Sequence, residues 1–288
     1  MNRTIVVGYD HTAPSERALA EATREAVTRG SALRIVHAYQ WPVAGRLSAE
    51  PDMPQEACHE AAEVLLEAAA NGVRAGHPEI DVQTRAVAGY AAAALVEACR
   101  DAELLVVGNR GTGGFDGLMV GSVSLRALAG VVCPVIVVRG DERPARSAVL
   151  AAVDLAGPCD RVFDFAFTLA ARRGAALTVV HVWDEPWFLP YNEGDSAFEN
   201  TAKVKDEWAI RLEAVVQPWR SKYSDVAVTE LIGAGPAGAE LVEASKGFDL
   251  LVVGAQRHGG NLHGMRIGPV AHTALHHADC PVAVVPLD

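Results

Sequence analysis

The sequence has no excess of basic residues, which proteins that bind nucleic acids or anionic membrane surfaces commonly carry. Its 288 residues include 25 Lys and Arg against 36 Asp and Glu, for a formal net charge of −11. A polyanion would be repelled by such a surface outside a local basic patch. We therefore expect neither a nucleic-acid partner nor a membrane partner.

Cysteine is also scarce, and long apolar runs are missing. The five cysteines are scattered and form no C-x-x-C pair, so a disulfide framework or a zinc site is not expected. Cys133 and Cys280 each precede a proline, and we expect both to be small buried hydrophobes. The first apolar run, Thr4–Gly8, is too short for a secretory signal, and no run reaches membrane-spanning length. These features favour a reducing, cytoplasmic location.

What the chain does have is a high apolar content, 50%, and an internal repeat. Four pairs of segments match in the same order, and their offset rises only from 144 to 147 residues. The pairs are Arg3–Asp10 with Ser147–Asp154, Ala32–His37 with Ala176–His181, Leu104–Gly108 with Leu250–Gly254, and Cys133–Val135 with Cys280–Val282. Such regular self-similarity indicates a tandem duplication.

The polar stretch Gly140–Arg146, with one glycine and one proline, is the natural linker between the two copies. We therefore predict two domains, residues 1–140 and 147–288. In each, short β-branched runs alternate with longer stretches of helical periodicity. The strands predicted for the first domain are Thr4–Gly8, Leu33–Ala38, Val82–Ala88, Leu104–Val107 and Val135–Val138. Runs that are apolar on both faces predict a parallel sheet covered by helices on each side.

A glycine-rich stretch, GNRGTGGFDGLMVGS, follows the fourth predicted strand and leads into a predicted helix. Gly108, Gly111, Gly121 and Ser122 give it the spacing G-x2-G-x9-G-S. Glycine lets phosphate oxygens approach backbone N–H groups that a Cβ would obstruct, and a helix N-terminus favours an anion. The stretch completes neither a P-loop nor a G-x-G-x-x-G motif. It therefore predicts a phosphate site of another kind.

In this spacing and in its duplication, nearly the whole chain resembles the universal stress proteins, whose nucleotide-binding members carry G-x2-G-x9-G-[ST]. The resemblance implies an α/β fold with two tandem Rossmann-like domains. Each would hold a five-stranded parallel sheet of order 3-2-1-4-5 flanked by helices. It also implies packing of the two repeats about a pseudo-twofold axis, and leaves a homodimer of whole chains open.

The function implied by the resemblance is that of an ATP-binding stress-response or signalling module. Two alternatives stay open, a slow ATPase and an interaction scaffold with vestigial nucleotide sites. Since spacing reveals no pair of nucleophile and base, we expect binding without enzymatic activity more than catalysis.

The resemblance also assigns the adenine nucleotide to particular residues. Asp10 would face the ribose and neighbouring phosphates, and the main chain at Ala38 would meet the adenine. A hydrated Mg²⁺ or Mn²⁺ could bridge the phosphates. The cofactor-binding residues so implied in the first half are Gly8, Asp10, Ala38, Val107, Gly108, Gly111, Gly121 and Ser122. Their retained counterparts in the second half are Asp154, Val182, Gly254 and Gly268.

The second half departs from the nucleotide pattern at several of the matched positions. Ala152 stands where the first half has Gly8, and Arg257 stands where it has Gly111. Pro269 replaces Ser122 and thereby removes both a hydroxyl and an N–H. The site is either lost, or Arg257, His258 and Arg266 supply positive charge in place of the backbone donors. We expect ATP binding there to be weak or absent.

Some of these residues also have structural interpretations. Asp10 could cap the following helix, but its counterpart Asp154 and its place at a strand end favour ligand contact. His37 and His181 are expected to end a strand and hydrogen-bond locally rather than act in catalysis.

Histidines cluster in the second half. His272 and His276 share a predicted helix face, and His258 and His263 precede them. The repeat matches the helical pair to ordinary helix positions, so we do not expect a metal site.

Overall fold

The computed structural model describes residues 3–40, 54–111, 120–140, 145–183, 197–257 and 265–287, with backbone alone for 197–201. The chain divides into two compact units. The first comprises Met1–Arg139 with Arg257–Arg266, and the second comprises Gly140–Gln256 with Ile267–Asp288.

Strands and helices alternate along the first half of the chain. They are β1 (Thr4–Gly8), α1 (Ala13–Arg29), β2 (Ala32–Tyr39), α2 (Gln55–Gly76), β3 (Val82–Ala88), α3 (Ala91–Ala98), β4 (Leu104–Gly108), α4 (Ser122–Gly130) and β5 (Val135–Val138). All four strand pairings are parallel, and they give the order β3-β2-β1-β4-β5. The order 3-2-1-4-5 implied by the resemblance is confirmed.

The second half repeats the pattern. Its elements are β6 (Ala148–Ala152), α5 (Asp160–Arg173), β7 (Ala176–Trp183), α6 (Ala197–Lys222), β8 (Val228–Ala234), α7 (Ala237–Ser245), β9 (Leu250–Arg257), β10 (Met265–Arg266), α8 (Pro269–His277) and β11 (Val282–Leu287). The parallel order β8-β7-β6-β9-β11 is again 3-2-1-4-5.

The core lies on both faces of each sheet, because the central strands are short apolar runs. Ile5, Val6 and Val7 of β1 are fully buried, as are Leu150 and Ala151 of β6. Helices that cover both faces make this burial possible, and parallel sheets need such cover.

The first helix of each half ends on a glycine in the left-handed conformation, Gly30 with φ 62° and Gly174 with φ 58°. A residue without a Cβ adopts this conformation at little cost, so each glycine turns the chain from helix to the next strand. Within the described part of the chain, no helix has the length and apolar character needed to cross a bilayer.

Candidate functional site

Asp10 lies directly beyond the carboxyl end of β1, where Thr12 orients its carboxylate. The Thr12 backbone N–H and hydroxyl donate to Asp10 Oδ1 at 3.2 and 2.5 Å. The N-cap of α1 is Thr12, which exchanges hydrogen bonds with Ser15 in a capping box. Asp10 is therefore not the cap of this helix. Its carboxylate is held in place at the strand end.

Gly111, in the loop after β4, lies against the Asp10 carboxylate. A Cβ on Gly111 would come within 2.5 Å of Asp10 Oδ2, closer than any real contact allows. Since β1 and β4 are adjacent parallel strands, their carboxyl ends meet at one edge of the sheet. The structure thus brings Asp10 and Gly111 together, at the crevice where open α/β sheets bind ligands.

Gly108, the last residue of β4, makes room for the first turn of α1. A Cβ there would lie 2.8 Å from the carbonyl carbon and oxygen of Pro14. On the other side, the Ser124 hydroxyl of α4 donates to the Gly108 carbonyl oxygen at 2.8 Å. This glycine is needed for packing, whether or not a nucleotide is present.

The N-terminus of α4 follows the glycine-rich stretch. Gly121 is the N-cap, and its N–H donates to the Asn109 carbonyl oxygen at 2.7 Å, which ties the start of α4 to the end of β4. The N–H groups of Ser122, Val123 and Ser124 find no acceptor among the described residues. Within the described ranges these N–H groups are the open donors that a helix N-terminus leaves, and Ser122 and Val123 are exposed. This end of α4 therefore has the donors and the dipole direction that suit an anion.

The other residues assigned to the nucleotide lie on β1, β2 and β4. The half-buried Gly8 packs under α3, because a Cβ there would lie 3.2 Å from Leu95 Cδ1. Ala38 is half-buried in β2, and Val107 is buried in β4.

Two histidines at matched positions each bond to the neighbouring strand end. His37 Nδ1 donates to the Tyr9 carbonyl oxygen at 2.7 Å, and His181 Nδ1 donates to the Val153 carbonyl oxygen at 3.0 Å. The local hydrogen bond predicted for both histidines is confirmed.

The second half has a different backbone where the first has its glycine loop. β4 ends at Gly108, which pairs with Val138, but β9 continues three residues past Gly254 to Arg257. Through Gln256, which pairs with Leu287, this extension stays in the ladder with β11. An extended strand cannot curl around a phosphate as a loop can.

Other matched positions of the second half have also changed. Asp154 is exposed, and its Oδ1 accepts from the Ala156 N–H at 2.9 Å. Gly268 is the N-cap of α8, and Pro269 occupies its first turn without an N–H.

The Trp208 ring of α6 packs against the ring of His181 in β7, with the ring centroids 4.6 Å apart. His181 is 5% exposed, whereas its counterpart His37 is half-buried. The residue matched to Trp208 in the first half is Ala62. Trp208 therefore covers the carboxyl end of β7 at His181, next to the half-buried Val182. The matching end of β2 is more exposed at His37.

The fold and motif agree with comparisons to known proteins. A family model described as "Universal stress protein family" matches residues 1–139 and again 146–286. The chain belongs to the universal stress protein family.

Relatives of similar length support this assignment. The chain is 30% identical to a universal stress protein of Mycolicibacterium smegmatis, over 98% of this chain and 96% of that one. It is also 30% identical to one from Mycobacterium tuberculosis, over 97% and 95%. The crystal structure of a universal stress protein from Archaeoglobus fulgidus has the same fold, with a TM-score of 0.69, 18% identity and coverage of 98% and 97%.

In the second repeat of this universal stress protein, the structure describes only some of the side chains whose positive charge would replace the lost backbone donors. Arg257 and Arg266 are exposed, whereas His258 and His263 lie outside the described residues. The rings of His272 and His276 stack with their centroids 4.3 Å apart. Within the described ranges, no three His, Cys, Asp or Glu side chains converge as metal ligands.

Sequence reasoning missed two residues of the first repeat that shape the site. Thr12 orients Asp10, and the pattern Thr12-x-Pro14-Ser15 at a helix start was the signal that could have revealed it. Asn109 holds Gly121 through a backbone carbonyl, a contact that no side-chain pattern announces.

Thr12→Ala is expected to lower the free energy of unfolding by about 1 kcal/mol, because α1 loses its side-chain cap. Chemical denaturation of the whole chain measures this. The matched control is Cys159→Ala, since Cys159 is the N-cap of α5 and makes no side-chain cap bond. An equal loss in both variants would contradict the capping role.

Proposed function

We propose that the first repeat binds ATP at the carboxyl ends of β1 and β4 and works as a nucleotide-dependent module in stress response or signalling. The observation that carries the proposal is the meeting of the Asp10 carboxylate with the backbone at Gly111. The exposed N-terminus of α4 is tied to the same loop through the Gly121–Asn109 hydrogen bond. An oriented carboxylate and a helix N-terminus whose N–H groups bond to no described residue together suit a ligand that has both hydroxyls and phosphates.

The chemistry of each group favours contact with a particular part of ATP. We assign the phosphates to the N–H groups of Ser122, Val123 and Ser124 and to the Ser122 hydroxyl. The N–H of Gly121 is committed to Asn109, so we give this glycine the role of shaping the turn. A carboxylate repels phosphate, so Asp10 is assigned to the ribose hydroxyls or to a bridging Mg²⁺ or Mn²⁺.

The adenine ring of ATP would lie near β2. The main chain at Ala38 offers it hydrogen bonds, and Val107 with Gly8 offers an apolar floor of small residues. In a bound complex, the metal ion would neutralise phosphate charge, a role that needs no cage of protein ligands.

We propose that the second repeat binds ATP weakly or not at all. Three features support this: the extension of β9, the proline at the start of α8, and the cover that Trp208 gives to His181. Each removes either backbone donors or space from the matched site.

Asp10→Ala is expected to weaken ATP binding about tenfold or more, a loss near 1.4 kcal/mol. Asp154→Ala, the matched change in the second repeat, should leave the affinity unchanged. Isothermal titration of the full chain, with and without Mg²⁺ or Mn²⁺, gives the affinity and should show one ATP per chain. Equal effects of the two variants, or two ATP per chain, would contradict the assignment to the first repeat.

The alternatives are separated by two further measurements. If denatured protein releases no nucleotide and ATP produces no shift in Tm, the protein is a scaffold with vestigial sites and the proposal fails. Steady release of ADP under multiple turnover, abolished by Asp10→Ala but not by Asp154→Ala, would establish a slow ATPase instead.

A further inference from the structure

Arg110 lies in the glycine-rich stretch of the first repeat, between two residues whose backbone is held in place. The carbonyl oxygen of Asn109 accepts the Gly121 N–H at 2.7 Å, and Gly111 lies against the Asp10 carboxylate. The backbone on both sides of Arg110 is therefore positioned by contacts. None of the residues assigned so far to the nucleotide has a positive charge, although a bound triphosphate brings several negative charges.

The backbone of Arg110 also lies next to the N-terminus of α4. A Cβ on Gly121, the N-cap of that helix, would be 3.7 Å from the Arg110 Cα. Ser122 follows Gly121 directly, and its N–H is one of those that bond to no described residue. Because an arginine side chain is long, its guanidinium can reach an anion that binds at this end of the helix.

The guanidinium of Arg110 lacks a partner among the described residues. Its Nε is buried and has no hydrogen-bond acceptor, and the side chain makes no hydrogen bond or ion pair with any residue that the structure describes. Burying a charged donor without an acceptor costs free energy, because the group loses water and gains nothing in its place. An anion beside the guanidinium would remove this cost.

The second repeat does not have this cation. Gln256 stands at the position matched to Arg110 and pairs with Leu287 in the ladder between β9 and β11. A neutral amide in a paired strand thus replaces a charged guanidinium in a loop. The arginine belongs to the repeat that keeps the complete glycine motif, which is the repeat assigned to ATP.

Building on the function proposed above, we propose that the Arg110 guanidinium binds a phosphate of ATP. This contact makes the site prefer a nucleoside triphosphate over an uncharged nucleoside. A guanidinium donates two parallel N–H bonds to phosphate oxygens, and its Nε–H is one of the donors that can form such a pair. Arg110 supplies the positive charge that a P-loop takes from its lysine. The N–H groups at the start of α4 supply the remaining donors.

The test is isothermal titration of the full chain with ATP and with adenosine, in the presence of Mg²⁺. Arg110→Gln imports the residue of the second repeat and is expected to weaken ATP binding about tenfold, because a charged hydrogen-bond pair is lost. Adenosine has no phosphate and should bind equally well to Arg110→Gln and to the wild type. An unchanged affinity for ATP, or an equal loss for adenosine and ATP, would overturn the proposal.

Arg100→Gln is the matched control, because it removes one positive charge from the same unit at a distance from the site. Arg100 is ion-paired with Glu97 at 2.8 Å and lies just before the amino end of β4. Its replacement should leave the ATP affinity unchanged. Added NaCl should weaken ATP binding to Arg100→Gln more steeply than to Arg110→Gln, which has lost a contact between charges. Equal salt dependence of the two variants would count against a phosphate contact at Arg110.

Arg110→Lys separates the role of the charge from that of the planar fork. Lysine keeps the charge but cannot form the bidentate pair, so the ATP affinity should lie between those of the wild type and Arg110→Gln. The Tm of each variant shows whether it folds. If Arg110→Gln has a lower Tm than the wild type, Arg110→Lys replaces it in the comparison, and an ATP affinity equal to that of the wild type would then contradict the contact.

Failure of this contact and failure of the proposed function are distinguishable. If ATP binding depends on Asp10 but not on Arg110, only the role of Arg110 is rejected. If the wild type binds no ATP, the proposed function fails, and titration with inorganic tripolyphosphate decides the role of Arg110. Tripolyphosphate binding that Arg110→Gln loses would retain the phosphate contact alone, whereas binding of neither ligand would reject both.

Discussion

Gly111→Ala is expected to weaken ATP binding about tenfold, and Gly111→Arg to weaken it further. The new Cβ would lie 2.5 Å from Asp10 Oδ2, so the Asp10 carboxylate must turn away. This movement disturbs the two hydrogen bonds that Thr12 makes to Oδ1. The side chain that should face the ribose and the metal ion is then displaced. Titration of the full chain with ATP measures the change.

The reverse substitution in the second repeat provides the control. Arg257→Gly should not create an ATP site, because β9 still pairs with β11 as far as Gln256 and Pro269 still lacks an N–H. Unchanged affinity in both Gly111 variants would show that the nucleotide does not depend on the contact with Asp10. A gain of binding in Arg257→Gly would show that one side chain, rather than the strand extension, blocks the second site.

Gly108→Ala is expected to lower the free energy of unfolding by about 2–3 kcal/mol. Its Cβ would lie 2.8 Å from the backbone carbonyl of Pro14 and 2.9 Å from the Pro14 Cβ. Neither atom belongs to a flexible side chain, so the first turn of α1 must shift away from β4. Thermal unfolding should show a Tm lower by roughly 4–12 °C.

Gly254→Ala is the matched change in the second repeat and should cost less than about 1 kcal/mol. The nearest atom to its Cβ would be Leu287 Cδ1, at 2.9 Å, which is the end of a flexible side chain near the end of β11. Equal losses in Gly108→Ala and Gly254→Ala would contradict a specific role for the Pro14 contact.

Much of the secondary structure was predictable because local patterns encode it. The predicted strands Thr4–Gly8, Val82–Ala88 and Val135–Val138 match the observed bounds residue for residue. Thr4–Gly8 and Val135–Val138 are apolar runs rich in β-branched residues, whereas Val82–Ala88 is a mixed run that ends before Gly89. The first helix begins at Ala13, because Thr12 caps it and Pro14 suits its first turn.

The candidate site was less predictable, because spacing does not say which atoms occupy the space beside a glycine. The motif was interpreted as a set of phosphate contacts. In the structure, Gly108 makes room for Pro14, Gly111 lies against Asp10, and the Gly121 N–H bonds to Asn109. Pro14 and Asp10 come from the distant first strand and helix of the repeat, which the sheet brings beside β4. The remaining loop glycines, 113, 114 and 117, lie outside the described residues.

By itself, the sequence determined the tandem duplication, the alternation of strands and helices, and the family. These depend on local periodicity and on self-similarity, which the order of residues records directly. Only the tertiary structure decided that Thr12 orients Asp10, that Gly108 makes room for Pro14, and that β9 runs on beside β11. Contacts of this kind form between residues that folding brings together, and their energies depend on distances that no spacing along the chain specifies.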